Sequence, residues 1–335
     1  MQAAWYEKNG PADQVLQVGQ QPVPQASAGQ VRVRLACSGV NPSDVKSRAG
    51  GRPVRWELII PHSDGAGIID QVGQGVEASR LGERVWLWNA QYNRPHGTAA
   101  EYIVLPAEQA VELPENVSFE AGACLGIPAL TALRAVELAQ IEPGQSVLII
   151  GGASSVGYYA VQMALAQGAR VITTVGSQTK AAFLHESGVN ETILYKEESV
   201  ADRVLAMTDG VGVNAIIDMD LSTTIALVDE HVLAPHGRFV CYGSNERGIV
   251  PLNYGAWLPR SLSLQFFLVY ELTRSQRQRA LDGVQAMLLK GLLQHHIGPT
   301  YPLTDIVLAH EAVESGKTLG NVIVDCGNGR MRAAA

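Results

Sequence analysis

Four cysteines in 335 residues, Cys37, Cys124, Cys241 and Cys326, leave the chain with no CxxC pair and no spacing for a disulfide framework or a zinc ribbon. Each lies among apolar or small residues, so each is expected as a small buried hydrophobe rather than a nucleophile. The eight histidines are dispersed as well, and the adjacent His295 and His296 lack the i, i+4 spacing of a helical ligand pair. No uninterrupted apolar stretch approaches the ~20 residues that span a bilayer, and the opening MQAAWYEKNGPADQV has no apolar core of a secretory signal. A cytoplasmic protein without a membrane partner is expected. A formal net charge of −7 and the lack of any basic run speak against a nucleic-acid surface, which leaves small molecules as the expected partners.

What the chain does have is hydrophobic content, 47% of its residues, enough to bury two cores. Its most informative stretch is SVLIIGGASSVGYYAVQMALAQGARVITTV, from Ser146 to Val175. Val147 to Ile150 form an apolar run suited to a strand buried on both faces, and Gly151 and Gly152 break it. Val156, Ala160, Met163 and Ala164 recur at helical spacing, Gly168 stops the helix, and Arg170 to Val175 form a second, β-branched strand. That order requires a right-handed crossover and a parallel strand pair. The amides at the helix start then point at an anion, and a dinucleotide pyrophosphate fits there. Read as G-x-G-x-x-G, the turn runs from Gly152 to Gly157 with Ser154 in the central glycine's place; Ser155 and Val156 complete it. No acidic residue stands at the end of the second strand to bind ribose hydroxyls. Gly176, Ser177 and the nearby Lys180 stand there instead, which favours NADPH.

Before residue 120 the pattern is one of short apolar runs and turns: Gln30 to Ala36, Gly67 to Val72, Arg84 to Trp88 and Ala100 to Leu105, an antiparallel β region. After it, helices and strands alternate. Helical periodicity covers Ala129 to Ala139, Thr179 to Glu186, Val200 to Met207 and Thr223 to Leu233. Strand patterns cover Thr192 to Tyr195, Val213 to Asp218, Arg238 to Tyr242 and Leu264 to Val269, so a six-stranded doubly wound sheet is expected. Helices at Gln276 to Leu289 and Ile306 to Glu314, a last strand at Asn321 to Asp325 and a frayed end from Gly327 to Ala335 follow.

Several motifs in this order, CSGVNPSDVKSRAG (37–50), PHSDGAG (61–67), GERVW (82–86), GTAAEYIVLP (97–106), LGIPALTAL (125–133), the dinucleotide unit and SGKTLGNVIV (315–324), make nearly the whole chain resemble the zinc-independent quinone oxidoreductase, zeta-crystallin-like branch of the medium-chain dehydrogenases/reductases. The resemblance implies an α/β protein. A GroES-like, mostly β catalytic domain, residues 1–122 and 257–335, would be interrupted by a doubly wound, parallel-sheet Rossmann domain, residues 123–256, with its sheet extended by the strand near 264–269. It also implies NADPH as cofactor, contacts to it from Tyr195, Thr131, Gly243, Phe267, Val269 and Asn321, and pairing of the Ser263–Tyr270 edge into a homodimer.

In zinc alcohol dehydrogenases of this superfamily a cysteine and a histidine hold the catalytic metal; here Asn41 and Ser63 take those places, His62 is displaced by one, and the lobe for structural zinc is missing. No metal site is therefore expected, and alkoxide chemistry on zinc is disfavoured. A quinone accepts hydride without a Lewis acid, so the resemblance implies NADPH:quinone reduction, with Asn41 near the nicotinamide and the acceptor. Asp44 is expected to orient that loop. Lys46 stands where related enzymes often carry a tyrosine, a second tyrosine-like site falls near Arg52, and Lys46 is a second catalytic candidate, one that could steady a quinol oxygen. Trp56, Trp88 and Tyr92 are candidates for aromatic walls. Two other readings stand beside this one: reduction of 2-alkenal or enone double bonds by the same donor, and nucleotide binding without catalysis.

Overall fold

A computed structural model describes residues 1–246 and 248–327; the expected frayed end falls, beyond Gly327, outside the described residues. The chain forms two compact units, Met1–Ile127 with Leu288 onward, and Pro128–Met287. Its strands, in chain order, are β1 Gln2–Trp5, β2 Gln17–Gln20, β3 Gln30–Val40, β4 Asp64–Val72, β5 Arg84–Leu87, β6 Tyr102–Pro106 and β7 Ala110–Glu112. They continue as β8 Ser146–Ile149, β9 Arg170–Val175, β10 Glu191–Leu194, β11 Val213–Asp218, β12 Leu233–Cys241, β13 Ser263–Phe266, β14 Ile297–Pro302 and β15 Asn321–Asp325.

The first unit is the GroES-like domain. Its larger sheet runs β14-β15-β3-β4-β5-β7, with β6 also on β3, and apart from the parallel β14–β15 pair it is antiparallel. Alternate residues of β3, namely Val31, Val33 and Leu35, pack with Ile69, Val85, Leu87, Ile103 and Leu105 into a buried cluster, the period-2 burial that a sheet imposes. At Gly67 a Cβ would lie 2.1 Å from the Arg34 carbonyl oxygen, so β3 and β4 approach closely only because that residue is glycine.

The second unit is the expected doubly wound domain, with strand order β10-β9-β8-β11-β12-β13 and every pair parallel. The order reverses between β8 and β11, and in such sheets ligands bind beyond the carboxyl ends of strands at this reversal. Leu148, Ile172, Ile193, Ile216 and Phe239, from five adjacent strands, are fully buried in its core.

Three expectations are corrected. The chain returns to the first unit at residue 288, not 257, because β13 adds to the edge of the parallel sheet beside β12 and holds its segment in the second unit. The expected helix Thr223–Leu233 is one short turn, Leu221–Thr224, with a 3-10 turn after it. The Thr223 and Thr224 hydroxyls bond back to Asp220 and Asp218, and His231 is left-handed (φ 61°), so the chain enters β12 already at Leu233. The strand expected to reach Val269 ends at Phe266, and Val269 starts a 3-10 turn whose carbonyl accepts from the buried Arg277 guanidinium.

Candidate functional site

The cofactor side builds from β8. The chain leaves that strand into Gly151, whose φ of 73° is in the left-handed region, and the turn is tied down from β9. The Gly151 amide donates to Thr174 Oγ1 and the Gly152 amide to Thr173 Oγ1, both at 2.9 Å, while Thr173 donates to the Ile149 carbonyl. A Cβ on Gly152 would sit 2.2 Å from Thr173 Oγ1, and one on Gly157 would sit 2.1 Å from the Gly151 carbonyl oxygen. These are the contacts that make two of the motif's positions glycine. Ser154, in the central position, caps the helix Ser155–Ala166 by accepting from the Gly157 amide at 3.1 Å, so its own hydroxyl proton stays available to a phosphate oxygen. The amides of Ser155 and Val156 lie in the first turn, where no intrahelical acceptor exists. Thr131 and Ser244, the latter next to Gly243, each hold a buried hydroxyl without a hydrogen-bond partner, and both are in this unit.

At the end of β9, Gly176 lies under the Tyr195 ring, which a Cβ on Gly176 would meet at 3.2 Å from the phenolic oxygen. Ser177 caps the next helix by accepting from the Lys180 amide at 3.3 Å. Lys180 is pushed below its usual range by partial burial and then by the neighbouring charge of Lys196, whose Nζ lies 5.9 Å from the centre of the Tyr195 ring. Lys196 was not singled out in the sequence; the signal was its place in ILYKEE, directly after the strand-closing tyrosine. Phe267 stacks obliquely on Tyr242 (ring centres 6.2 Å apart), and Val269 is buried. Asn321 is different: it opens β15 in the first unit and donates to the His296 carbonyl.

The acceptor-side candidates start at the end of β3. Asn41 is buried and caps the helix Pro42–Lys46; its backbone amide donates to Asp44 Oδ2 at 2.9 Å, as expected of Asp44. Its side-chain amide donates to Asp64 Oδ2 at 2.8 Å, and that oxygen also accepts the Ile127 amide at 3.0 Å. Asp64 was visible in PHSDGAG only as part of a landmark, yet it fixes the Asn41 amide. Burial, and then the charge of Asp44, push the Asp64 carboxyl well above the usual range; burial alone pushes Asp44 up to about 7. Lys46, by contrast, is exposed at the helix end. Tyr6, Trp56 and Tyr92 line a pocket of about 250 Å³ with Arg52 and Arg55; Trp88 lies outside it and donates to the Glu108 carbonyl.

Behind Asp64 runs a ladder of buried polar side chains. Thr98 Oγ1 donates to the Asp64 carbonyl at 2.5 Å, which uses its proton, so Ser38, 2.7 Å away, donates to Thr98. Ser38 Oγ must then accept from His62 Nδ1 at 2.8 Å, and His62 Nε2 accepts from His310 Nε2 at 2.9 Å. The ladder ends on His310 Nδ1, a buried acceptor without a partner. Burial holds both imidazoles neutral, His62 down to about 3 and His310 well below its usual value. His62 has a φ of 75°, a backbone conformation few side chains adopt, and is fully buried. All four cysteines are free and buried, as expected.

Comparison with known proteins matches residues 27–115 to the alcohol dehydrogenase GroES-like domain and residues 155–286 to the zinc-binding dehydrogenase family. The chain is similar to the quinone oxidoreductase of Rattus norvegicus, 32% identical over 306 residues that cover 90% of this chain and 91% of the relative. It superposes on the Escherichia coli quinone oxidoreductase solved with NADPH at a TM-score of 0.85 and 27% identity, covering 97% of this chain and all (100%) of that one. A structure described as an NAD-dependent alcohol dehydrogenase superposes at 0.88 with 28% identity, covering 97% and 99% of the two chains.

Proposed function

The chain belongs to the quinone oxidoreductase branch of the medium-chain dehydrogenase/reductase family, and from that premise we propose that it is an NADPH-dependent reductase that passes hydride to a quinone. The observation that carries this reading is the far end of the dinucleotide unit, where Ser177, Lys180, Lys196 and Tyr195 gather around the end of β9 and Gly176 and Ser177 offer no carboxylate. An anion beside Lys180 would relieve the repulsion it feels from Lys196, and the 2′-phosphate of NADPH is such an anion.

Bound to this unit, NADPH supplies the hydride. The amides of Ser155 and Val156 and the Ser154 hydroxyl would hold its pyrophosphate, and the glycine contacts at residues 152 and 157 keep the backbone low enough for it. The unpartnered hydroxyls of Thr131 and Ser244 supply hydrogen-bonding capacity that a polar ligand would satisfy. Gly243, Phe267, Val269 and Asn321 are assigned to the same cofactor. On the acceptor side Asn41 is the positioning amide, locked by Asp64, with Lys46 as a secondary, surface contributor.

The reading takes hydride transfer to be independent of zinc. Asn41 and the buried Ser63 stand where related enzymes place metal ligands, and among the described residues no three His, Cys, Asp or Glu side chains gather as a metal site. Reduction of a quinone gains an aromatic ring and so relies on placement more than on Lewis-acid activation. The same reading includes a homodimer through the β13 edge and residence in the cytoplasm. Phe266 and Leu268, exposed at that edge, support the first, and four free cysteines support the second. Among the described residues, no helix is long and apolar enough to cross a membrane.

The test is NADPH oxidation by the purified protein against a panel of quinones, 2-alkenals, enones and alcohols. Quinone turnover well above the others is expected; rapid enone turnover with negligible quinone turnover would replace the reading by double-bond reduction.

A further inference from the structure

The end of β11 sets an exposed sulfur against the dinucleotide turn. Ile217 pairs with Ile149 across β11 and β8, so two residues further on Met219 comes opposite Gly151. A Cβ on Gly151 would lie 2.7 Å from Met219 Sδ, which puts the thioether directly against the left-handed glycine that opens the turn. Strand order reverses between these two strands, and ligands of such sheets bind in the crevice outside that point. Met219 is 39% exposed there, whereas Met163, on the helix Ser155–Ala166, is 2% exposed. Among the described residues it is the one methionine that is exposed.

Its neighbours fix the backbone that presents it. The Asp218 carbonyl accepts the Tyr242 amide at 3.1 Å, and Asp218 Oδ1 accepts the Asp220 amide at 3.1 Å and the Thr224 hydroxyl at 2.7 Å. On the other side the Asp220 carboxylate accepts the hydroxyls of Ser222 and Thr223, at 2.6 and 2.9 Å, and the backbone and side-chain amides of Asn245, both at 2.7 Å. A Cβ on Gly243 would lie 2.6 Å from the Met219 carbonyl oxygen, so the chain leaving β12 packs closely on it. The cysteines do not compete with this sulfur for an oxidant. All four are buried, and burial raises each thiol above its usual range, which withholds the reactive thiolate.

We propose that Met219 is an oxidative modification site: hydrogen peroxide converts its thioether to the sulfoxide, and the sulfoxide weakens the binding of NADPH at the adjacent turn. In that step a sulfur lone pair takes one peroxide oxygen and the O–O bond breaks. The transferred hydroxyl gives its proton to the departing one, which leaves as water, so sulfur loses two electrons and the peroxide gains them. The sulfoxide is polar, larger and partly negative on oxygen. With the Met219 backbone held on both sides, that oxygen is added within reach of the turn whose amides would receive the pyrophosphate, where it repels an anion and crowds Gly151. The effect on the cofactor rests on the NADPH reading of this unit. The quinone reading adds a source of oxidant, because a hydroquinone and dioxygen return the quinone and hydrogen peroxide, so turnover would slow as its own product reoxidises. Methionine sulfoxide reductases reverse the change.

The experiment follows the sulfur and the cofactor separately. The full chain is treated with hydrogen peroxide, alone and with NADP⁺, and peptide mass spectrometry reads the sulfoxide at each methionine. Fluorescence titration then reads NADPH affinity. Met219 should oxidise well before the buried Met163 and the half-buried Met207 and Met287, and NADP⁺ should slow it. The oxidised chain should bind NADPH roughly three- to tenfold more weakly, the size of one lost contact. Methionine sulfoxide reductases should restore the affinity, and Met219→Leu should bind NADPH equally before and after peroxide. Oxidation of Met219 that is no faster than that of Met163 or is not slowed by NADP⁺, an unchanged affinity in chain oxidised at Met219, or a loss that persists in Met219→Leu would overturn the proposal. Quinone turnover separates it from the reading it rests on. A chain that binds NADPH, loses affinity on oxidation and reduces no quinone would end the quinone reading and leave Met219 standing. One that reduces quinones with an NADPH KM indifferent to Met219 oxidation would end the Met219 assignment and leave the reading.

Discussion

The side-chain amide of Asn41 donates to Asp64 Oδ2 at 2.8 Å, and both residues are buried. Burial, and then the charge of the nearby Asp44, push the Asp64 carboxyl well above the usual range, in the direction of the neutral form. A neutral carboxyl accepts the Asn41 and Ile127 amides as an asparagine oxygen would. Asp64→Asn should therefore fold and keep most of its quinone turnover, whereas Asp64→Ala leaves two buried donors unsatisfied. It should cost about 2–4 kcal/mol of stability and lower kcat at least tenfold. Asn41→Ala should lower kcat with the NADPH KM little changed, and Lys46→Ala, at an exposed position, should have the smaller effect. Urea unfolding and steady-state kinetics on the four variants measure all of this; an Asp64→Asn protein as inactive as Asp64→Ala would show that the charge, not the orientation, matters.

The lysine pair makes a second prediction, about cofactor choice. Lys180→Ala and Lys196→Ala should each weaken NADPH binding roughly tenfold or more while NADH binding hardly changes, because only the 2′-phosphate contact is lost. Nicotinamide fluorescence titration reads both affinities. A proportional loss for both cofactors would place the lysines elsewhere than at the phosphate.

These two sites also mark how far the sequence could be read. The strand, glycine turn and helix around Gly152 were legible because every contact that defines them is local: a short apolar run, glycines, then a 3.6-residue period. Lys180 was legible for the same reason. Lys196 was not, because its nearness to Lys180 depends on β10 pairing beside β9, a non-local event. Asp64 reaches Asn41 from 23 residues away, and His62 meets His310 across 248 residues, so dispersed acids and histidines in sequence become clusters only in the fold. The boundary expected at residue 257 lies at 288 because the strand near 264–269, although expected in the parallel sheet, was counted with its segment in the other domain. The expected Thr223–Leu233 helix failed on competing side-chain hydrogen bonds to Asp218 and Asp220, which period counting does not weigh.

The His62–His310 pair predicts a defined acid limb of stability. Both imidazoles titrate lower in the folded chain than in the unfolded one, so the unfolded state takes up protons first as pH falls. Stability from the pair is complete above about pH 6.5, the ordinary histidine value, and is lost progressively as pH falls towards the folded value of His62 near 3. One such group costs about 2 kcal/mol between pH 6.5 and 5. His310→Gln should flatten the slope of unfolding free energy against pH in that range by about one proton. Denaturant unfolding at stepped pH measures it, and an unchanged slope would mean that His310 is protonated in the native state.

The last prediction concerns the edge of the parallel sheet. β13 is the terminal strand, paired on one side with β12, and it ends in Phe266, 59% exposed, with Leu268 exposed at 45% two residues on. An edge strand leaves one row of backbone donors and acceptors open, and bulky apolar groups beside such a row favour association. Nothing on this edge serves to prevent it: Ser263–Phe266 has no charged side chain and no proline. A two-fold pairing of this edge would place the same patch from each copy against itself, so a single substitution acts twice in the interface. Phe266→Glu should therefore convert a dimer to a monomer at micromolar concentration. The preference for NADPH over NADH should hardly change, because the Ser177, Lys180 and Tyr195 cluster lies at the end of β9, with β8, β11 and β12 between it and β13. Light scattering of the wild type and the variant tests the first part and fluorescence titration the second. A wild type that is monomeric at these concentrations, or a variant that remains dimeric, would remove β13 from the assembly.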